Sequence, residues 1–268
     1  MGDANAPRRA RKFCRSWRVL DLKERPTVAT LEIRGLRKTF GGVVALAGVD
    51  VTVRSDEILG VIGPNGSGKT TLFNTVCGVY RPTAGTIHWN GVDIAGKPAY
   101  AIGRLGLGRT FQQAMSFPAL TVRENVQIAL EHGSRREDRA GPQWSSAEEL
   151  LEFVGLEGFA DEVTNVMPFG NLRRLGVAVA LGGRPAQLLL DEPAAGLNEG
   201  ESVQLTHLLR RAHELGVGIC IIDHHVGLMA ELCARLVVLH FGNKIADGPT
   251  EDVLNDPKVV EVYLGDVE

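Results

Sequence analysis

Ile58-Leu-Gly-Val-Ile62 runs directly into Gly63-Pro64-Asn65-Gly66-Ser67-Gly68-Lys69-Thr70, and this passage decides how the rest of the chain is read. Five apolar residues in a row, bounded by glycine, read as a buried strand. The eight that follow satisfy G-x-x-x-x-G-K-[ST] in full, in the strand-to-helix setting that gives the motif its meaning. Glycines let the backbone wrap closely around a polyphosphate, so that N–H groups and the N-terminus of the next helix point at anionic oxygens. The helix is expected over Thr70–Gly78. Gly63 to Thr71, with Ser67 among them, are the predicted nucleotide ligands. Lys69 reaches the β- and γ-phosphates, and the Thr70 hydroxyl ligates Mg²⁺.

Further along, Leu188-Leu-Leu-Asp191-Glu192-Pro193 is an apolar strand ending in two acids. Such a strand sets a carboxylate at the carboxyl edge of a sheet, beside the phosphate loop. Asp191 is placed to hold Mg²⁺, and Glu192 to orient and partly deprotonate the attacking water. Together the two motifs predict an ATPase with ATP and Mg²⁺ as cofactors.

The remaining pattern surrounds this pair. Leu31–Arg34 and Val49–Val53 alternate like half-buried strands, and Thr86–Asn90 before Gly91 reads as a hairpin arm. From residue 186 the order is strand, helix, strand, helix: Gln187–Leu190, Gly200–Leu215, Gly218–Ile222, Val226–Ala234, Arg235–His240. That alternation predicts an α/β sheet covered on both faces. Residues 133–147 read as an exposed loop between helical stretches, Ala147–Val154 and Gly176–Leu181 flanking the middle region. Residues of about 113–180 interrupt the alternation and are the expected helical subdomain. Thr250–Leu264 predicts two short helices split by Pro257.

Composition narrows the classes. The chain has 268 residues, 44% hydrophobic and 23% charged, with a net charge of −3. That balance favours no nucleic-acid partner. No apolar run approaches the ~18–20 residues of a membrane helix, so any membrane link is expected to be peripheral. The four cysteines, Cys14, Cys77, Cys220 and Cys233, form no Cys-x-x-Cys pair and suit a reducing cytosol. Residues 1–29 carry Arg8, Arg9, Arg11, Lys12, Arg15 and Arg18 with no apolar segment after them. They read as a disordered basic tail or an early start codon, with contact to anionic lipid as the alternative.

Gly108-Arg-Thr-Phe111-Gln112 and Phe117-Pro-Ala-Leu-Thr121-Val-Arg-Glu124-Asn125-Val126 resemble the Q-loop region of ABC transporter ATP-binding subunits. Asp191-Glu-Pro-Ala-Ala-Gly-Leu-Asn198 resembles that family's Walker B and D-loop, and Ile222-Asp-His224 its switch histidine. Order and spacing match from about residue 31 to the C-terminus. The resemblance implies a P-loop NTPase (RecA-like) α/β core with an N-terminal antiparallel β arm and an inserted helical subdomain, over residues 30–268. It implies that Phe40 stacks on adenine, in place of the more usual Tyr. It implies that Gln112 senses Mg²⁺ and the attacking water and couples the site to a membrane partner, docking near Met115, Phe117 and Leu120. Either His224 or His225 would contact the γ-phosphate, position favouring His224.

One segment departs from the family. The signature Leu-Ser-Gly-Gly-Gln stands here as Met167-Pro168-Phe169-Gly170-Asn171, ahead of a helix expected near Asn171. In the family's head-to-tail dimers this segment caps the ATP of the opposite subunit, and Pro168 has no hydroxyl to offer. A heterodimer with a partner of intact signature follows as the expectation. The stretch from Asn243 to Tyr263-Leu-Gly resembles the branched-chain amino-acid importers. The function so implied is the ATP-hydrolysing subunit of an importer for a small polar solute, peripheral on the cytoplasmic face of the cell membrane. Its partners would be permease subunits and a substrate-binding protein. The competing class is a non-transport ABC ATPase acting on ribosome or DNA; ribosomal members join two such domains and DNA-repair members carry coiled coils, and this chain has neither feature.

Overall fold

Leu59 and Val61 pack into one apolar cluster while Ile58 and Ile62, from the same strand, pack into another. The split repeats in every buried strand beside it: Leu188 and Leu190 against Leu189, Ile219 and Ile221 against Cys220, Leu236 and Val238 against Val237. Side chains alternate across a strand, so a strand buried on both faces must be apolar at every position. This is why these segments are runs dominated by Leu, Ile and Val.

A computed structural model of the chain describes residues 28–110, 116–133 and 141–264. The basic stretch before residue 28, Gln112, Met115 and residues 134–140 of the 133–147 loop lie outside the described residues. The elements run β1 (Thr30–Phe40), β2 (Val43–Arg54), β3 (Ile58–Ile62), α1 (Lys69–Val76), β4 (Ala84–Trp89), β5 (Val92–Asp93), α2 (Ala99–Arg104) and β6 (Leu107–Arg109). There follow α3 (Val122–Gly133), α4 (Ala147–Val154), α5 (Phe169–Gly182), β7 (Gln187–Asp191), α6 (Glu199–Glu214) and β8 (Gly218–Ile222). Last come α7 (Val226–Leu232), β9 (Arg235–His240), β10 (Asn243–Pro249), α8 (Thr250–Leu254) and α9 (Pro257–Leu264).

The strands form two sheets. One is antiparallel in the order β2-β1-β4-β5; the other runs β10-β9-β3-β8-β7-β6 and is parallel apart from its edge strand β10. β3 therefore lies inside the parallel sheet, between β9 and β8, and its carboxyl end feeds the phosphate loop. One face of that sheet packs on α1 and the antiparallel sheet through Leu72, Phe73, Leu31, Ile87 and Trp89. The other packs on α5, α6 and α7 through Leu175, Leu205, Leu209 and Met229.

The helices of the middle region pack on this second face. Ser146 caps α4, its hydroxyl accepting from the Glu149 N–H, and Gly155 at φ 70° ends it. Val122, Val126, Leu150, Leu151, Leu175 and Leu181 join α3, α4 and α5 to the same cluster. The strands and helices expected from sequence occur, most with ends shifted by a residue or two, but β2 begins at Val43, six residues before the expected Val49, and α5 runs well ahead of the helical stretch expected at Gly176–Leu181. β1 is longer than Leu31–Arg34, because bulges around Gly35 (φ 54°) break its alternation and hide its second half. β10 carries Asn, Lys, Asp, Gly and Pro on a sheet edge, where no apolar pattern marks a strand.

Gly60 sits where α7 crosses β3. A Cβ there would lie 2.5 Å from Leu236 Cδ2, 2.6 Å from Met229 Cε and 2.9 Å from Cys233 Sγ. Overpacking of this kind costs about 1–3 kcal/mol. Gly60→Val should lower the free energy of unfolding by that amount, read as a lower urea midpoint with an unchanged slope; an unaltered midpoint would show that α7 is not seated on β3 this closely.

Candidate active site

The phosphate loop is wedged between the two sheets. Gly63, Gly66 and Gly68 hold φ of 148°, 77° and 107°, in a region that side chains rarely enter. A Cβ on Gly63 would stand 2.1 Å from the Leu239 carbonyl oxygen, and one on Gly68 2.6 Å from that of Ala45. The Gly242 N–H, in the β9–β10 turn, donates to the Ser67 carbonyl at 3.0 Å, and the Ala47 N–H donates to the Gly242 carbonyl at 2.8 Å. Neighbouring backbone thus fixes the loop from two sides.

Lys69 is buried, and its Nζ donates to the carbonyls of Gly63 (2.6 Å) and Pro64 (2.9 Å), bridging the base of its own loop. Burial pulls its ammonium below the usual lysine range, opposed by the carboxylates of Glu192 and Asp191. Pro64 and Thr71 are half-buried and Asn65, Gly66 and Thr70 exposed, while Ser67 is buried. No side chain caps the N-terminus of α1, and no acid lies in its first turn. Its N–H groups and partial positive charge are open to an anion.

β7 delivers the acids opposite. In register with Ile222 of β8, Asp191 is 1% exposed, and its Oδ2 accepts from Arg109 Nη2 at 2.9 Å. Arg109 Nη1 donates to Asn74 Oδ1 of α1 at 2.6 Å. Burial pushes the Asp191 carboxyl up, opposed by the Arg109 guanidinium and Lys69. Glu192, the next residue, has left-handed backbone at φ 47°, and its N–H donates to the Ile222 carbonyl at 2.8 Å. Such a conformation in a non-glycine residue costs on the order of 1–3 kcal/mol and is a feature of functional sites. It turns the chain sharply just where the second acid leaves the sheet.

Asp191 Oδ1 and Ser67 Oγ are buried and have no hydrogen-bond partner among the described residues. Buried polar atoms are normally satisfied. One carboxylate oxygen and one hydroxyl awaiting partners fit a magnesium–polyphosphate group.

The two histidines part company at the end of β8. His225 caps α7, its Nδ1 accepting from the Leu228 N–H at 3.0 Å. The His224 side chain is 65% exposed, its Nδ1 3.9 Å from Asp223 Oδ1. The buried Asp223 accepts from the His225 N–H (2.9 Å) and the Ala194 N–H (3.4 Å), tying this strand end to the segment after Glu192. That segment, His224 and the first turns of α6 line a cleft of about 680 Å³.

α5 begins at Phe169, two residues before the expected start, because the Pro168 carbonyl already accepts from the Leu172 N–H at 3.1 Å. Pro168 supplies no side-chain cap. Arg173 lies 4.7 Å over the Phe169 ring and donates to the Ala195 carbonyl at 3.2 Å. Phe40 is 41% exposed at the end of β1; Tyr80 meets it edge-on at 5.1 Å, and Lys38 Nζ stands 4.7 Å from its ring centre. Gln112 lies outside the described residues. The sequence alone gives Arg109 no role and does not single out Asn74. Three residues are too short a strand to show a pattern, so only the fold reveals that Arg109 faces Asp191.

The ABC transporter family matches residues 46–195, and the branched-chain amino acid ATP-binding cassette transporter family matches residues 243–268. The chain is 36% identical over 251 residues to the high-affinity branched-chain amino acid transport ATP-binding protein BraF of Pseudomonas aeruginosa, covering 88% of this chain and 98% of that one. It is 38% identical over 244 residues to the probable branched-chain amino acid transport ATP-binding protein LivG of Archaeoglobus fulgidus (88% and 95%). The lipopolysaccharide export system ATP-binding protein LptB of Escherichia coli is 34% identical over 244 residues (89% and 98%). A crystal structure of an ATP-binding cassette of an ABC transporter in its ADP conformation superposes with a TM-score of 0.79 at 28% identity, covering 89% of this chain and 100% of that one.

The histidine geometry makes a separable prediction. Loss of a helix N-cap costs about 0.5–2 kcal/mol, so His225→Ala should lower thermal stability while His224→Ala leaves it near wild type. Equal melting temperatures for the two variants would contradict the division of labour at this strand end.

Proposed function

The chain belongs to the ABC transporter family as an ATP-binding subunit that hydrolyses ATP, and from that membership we propose that it is the motor of an importer for branched-chain amino acids or a similar small polar solute. The observation that carries the reading is the juxtaposition of two groups: the Lys69 loop, and the strand end bearing Asp191 and Glu192, whose carboxylates act on the Lys69 ammonium. The match of residues 243–268 to the branched-chain family, and the transport named for BraF and LivG, support import over action on ribosome or DNA.

On this reading the α1 N-terminus and the N–H groups from Gly63 to Thr71 cradle the phosphates, and Lys69 leaves its loop carbonyls for the β- and γ-oxygens. Thr70, Asp191 and Gln112 would hold Mg²⁺, which neutralises charge on the phosphate oxygens when bound. Glu192 orients the attacking water and takes its proton. His224, whose ring is not committed to a helix cap, contacts the γ-phosphate. The exposed face of Phe40 takes the adenine.

Residues 30–268 form one ATP-binding domain with a helical subdomain of about 113–180, supported by the packing of α3, α4 and α5. Among the described residues no helix is long and apolar enough to cross a membrane. As the ATPase subunit of such an importer, the chain works with separate permease subunits from the cytoplasmic face, with a substrate-binding protein delivering solute. Phe117, 56% exposed beside the Q-loop segment, belongs to the docking surface. The second ATPase subunit is a different chain with an intact signature: a homodimer would carry two sites capped by a proline, which offers neither hydroxyl nor N–H.

Two substitutions test the site. Lys69→Ala removes a fixed charge from the γ-phosphate and should lower turnover by roughly 10²–10³; hydrolysis near the wild-type rate refutes the phosphate-loop assignment. Glu192→Gln should retain ATP and trap an ATP-dependent dimer, seen as a larger species on gel filtration. A pull-down from detergent-solubilised cells tests the assembly: it should recover permease subunits and a second ATPase, and recovery of ribosomal or DNA-repair proteins alone would reverse the reading.

A further inference from the structure

Arg109 joins two pieces of the site that no strand pairing connects. It ends β6, the edge strand of the parallel sheet, and its guanidinium fork spans from Asn74 Oδ1 on α1 (2.6 Å) to Asp191 Oδ2 at the end of β7 (2.9 Å). The backbone beneath is anchored: Arg109 is in register with Leu189, and the Thr110 N–H donates to the Leu189 carbonyl at 2.9 Å. The side chain is 8% exposed and that of Asp191 is 1% exposed, so water does not screen the pair. α1 is the helix that begins at Lys69, so both ends of the fork rest on elements of the candidate active site.

A carboxylate has two oxygens and can turn about its own axis. With Oδ2 held by Arg109, that rotation is blocked, and Oδ1 is left buried with no partner among the described residues. We propose that Arg109 is a positioning residue for the cation-binding carboxylate: it fixes Asp191 to α1 and presents Oδ1 alone to the divalent cation that accompanies the nucleotide. This rests on the site assignment made above. Arginine suits the task because its planar fork serves two acceptors at fixed geometry, whereas a lysine ammonium is a single point. Partners of this kind, one bond removed from the metal, typically change metal affinity by about 10–100-fold when lost.

The test separates the cation from the nucleotide. Binding of a fluorescent ATP analogue to the full chain is measured first in EDTA, then as Mg²⁺ is titrated in. In Arg109→Gln the Mg²⁺ concentration for half-maximal response should rise about 10–100-fold, while affinity in EDTA stays within about twofold of wild type. Arg109→Lys should fall between the two. Asn74→Ala, which keeps the ion pair and removes its anchor, should move the Mg²⁺ midpoint the same way by less, and it carries the test if Arg109→Gln fails to fold. A Mg²⁺ titration of folded Arg109→Gln or Asn74→Ala coincident with wild type overturns the inference. So does an equal loss of affinity in EDTA, the mark of general damage. If the wild-type chain binds no nucleotide in EDTA or Mg²⁺, the site assignment itself falls and the inference with it.

Discussion

The structure turns on how closely backbone approaches backbone at the phosphate loop. Gly63 lies against the Leu239 carbonyl and Gly68 against that of Ala45, at separations that any Cβ would violate. Those two carbonyls belong to different sheets, β9 of the parallel one and β2 of the antiparallel one. The loop is therefore the joint between them, and Gly242 completes it by accepting from Ala47 and donating to Ser67. A loop so clamped keeps its N–H groups aimed before any anion arrives, and the ordering cost is met in folding rather than in binding. The antiparallel arm, which holds no acid or base of the site, is in this sense part of it.

Charge balance is the second condition. Two carboxylates, Asp191 and Glu192, leave the sheet next to a site designed for polyphosphate, an arrangement that would repel its own ligand without cations to offset it. Lys69 and Arg109 supply them from the loop and from the edge strand. A buried ion pair of this sort is weak evidence of net stabilisation, but leaving either partner alone is costly, of the order of 3–5 kcal/mol. Its value here lies in orientation: the pair fixes where Asp191 points, immediately before the left-handed turn at Glu192.

Much of this was legible in the sequence, and the parts that were not have a common cause. β3, β7, β8 and β9 declared themselves because burial on both faces forces uninterrupted apolar runs, and Lys69, Thr70, Asp191 and Glu192 followed from the motifs at their ends. β6 is three residues and β10 is polar, so neither carries a periodicity to read. The sequence assigns Arg109 no role because that role depends on the crossover that lays β6 beside β7, a pairing across 80 residues of chain. Between His224 and His225 the sequence offered only position. Geometry adds a physical ground, since the ring of His225 accepts the Leu228 N–H and that of His224 does not serve as a cap.

The departure at Met167–Asn171 acquires a mechanical meaning once the fold is known. Phe169 occupies a place the family gives to glycine. Its ring lies close over Gly196, where a Cβ would meet it at 2.9 Å, and Arg173 covers the ring while donating to Ala195. Gly170 is pressed in turn on Glu201, the residue that closes the capping box at the start of α6. The start of α5 and the segment that follows Glu192 are thus packed as one piece. What Pro168 removes is a donor; what Phe169 and Arg173 add is contact between the start of α5 and the segment after Glu192.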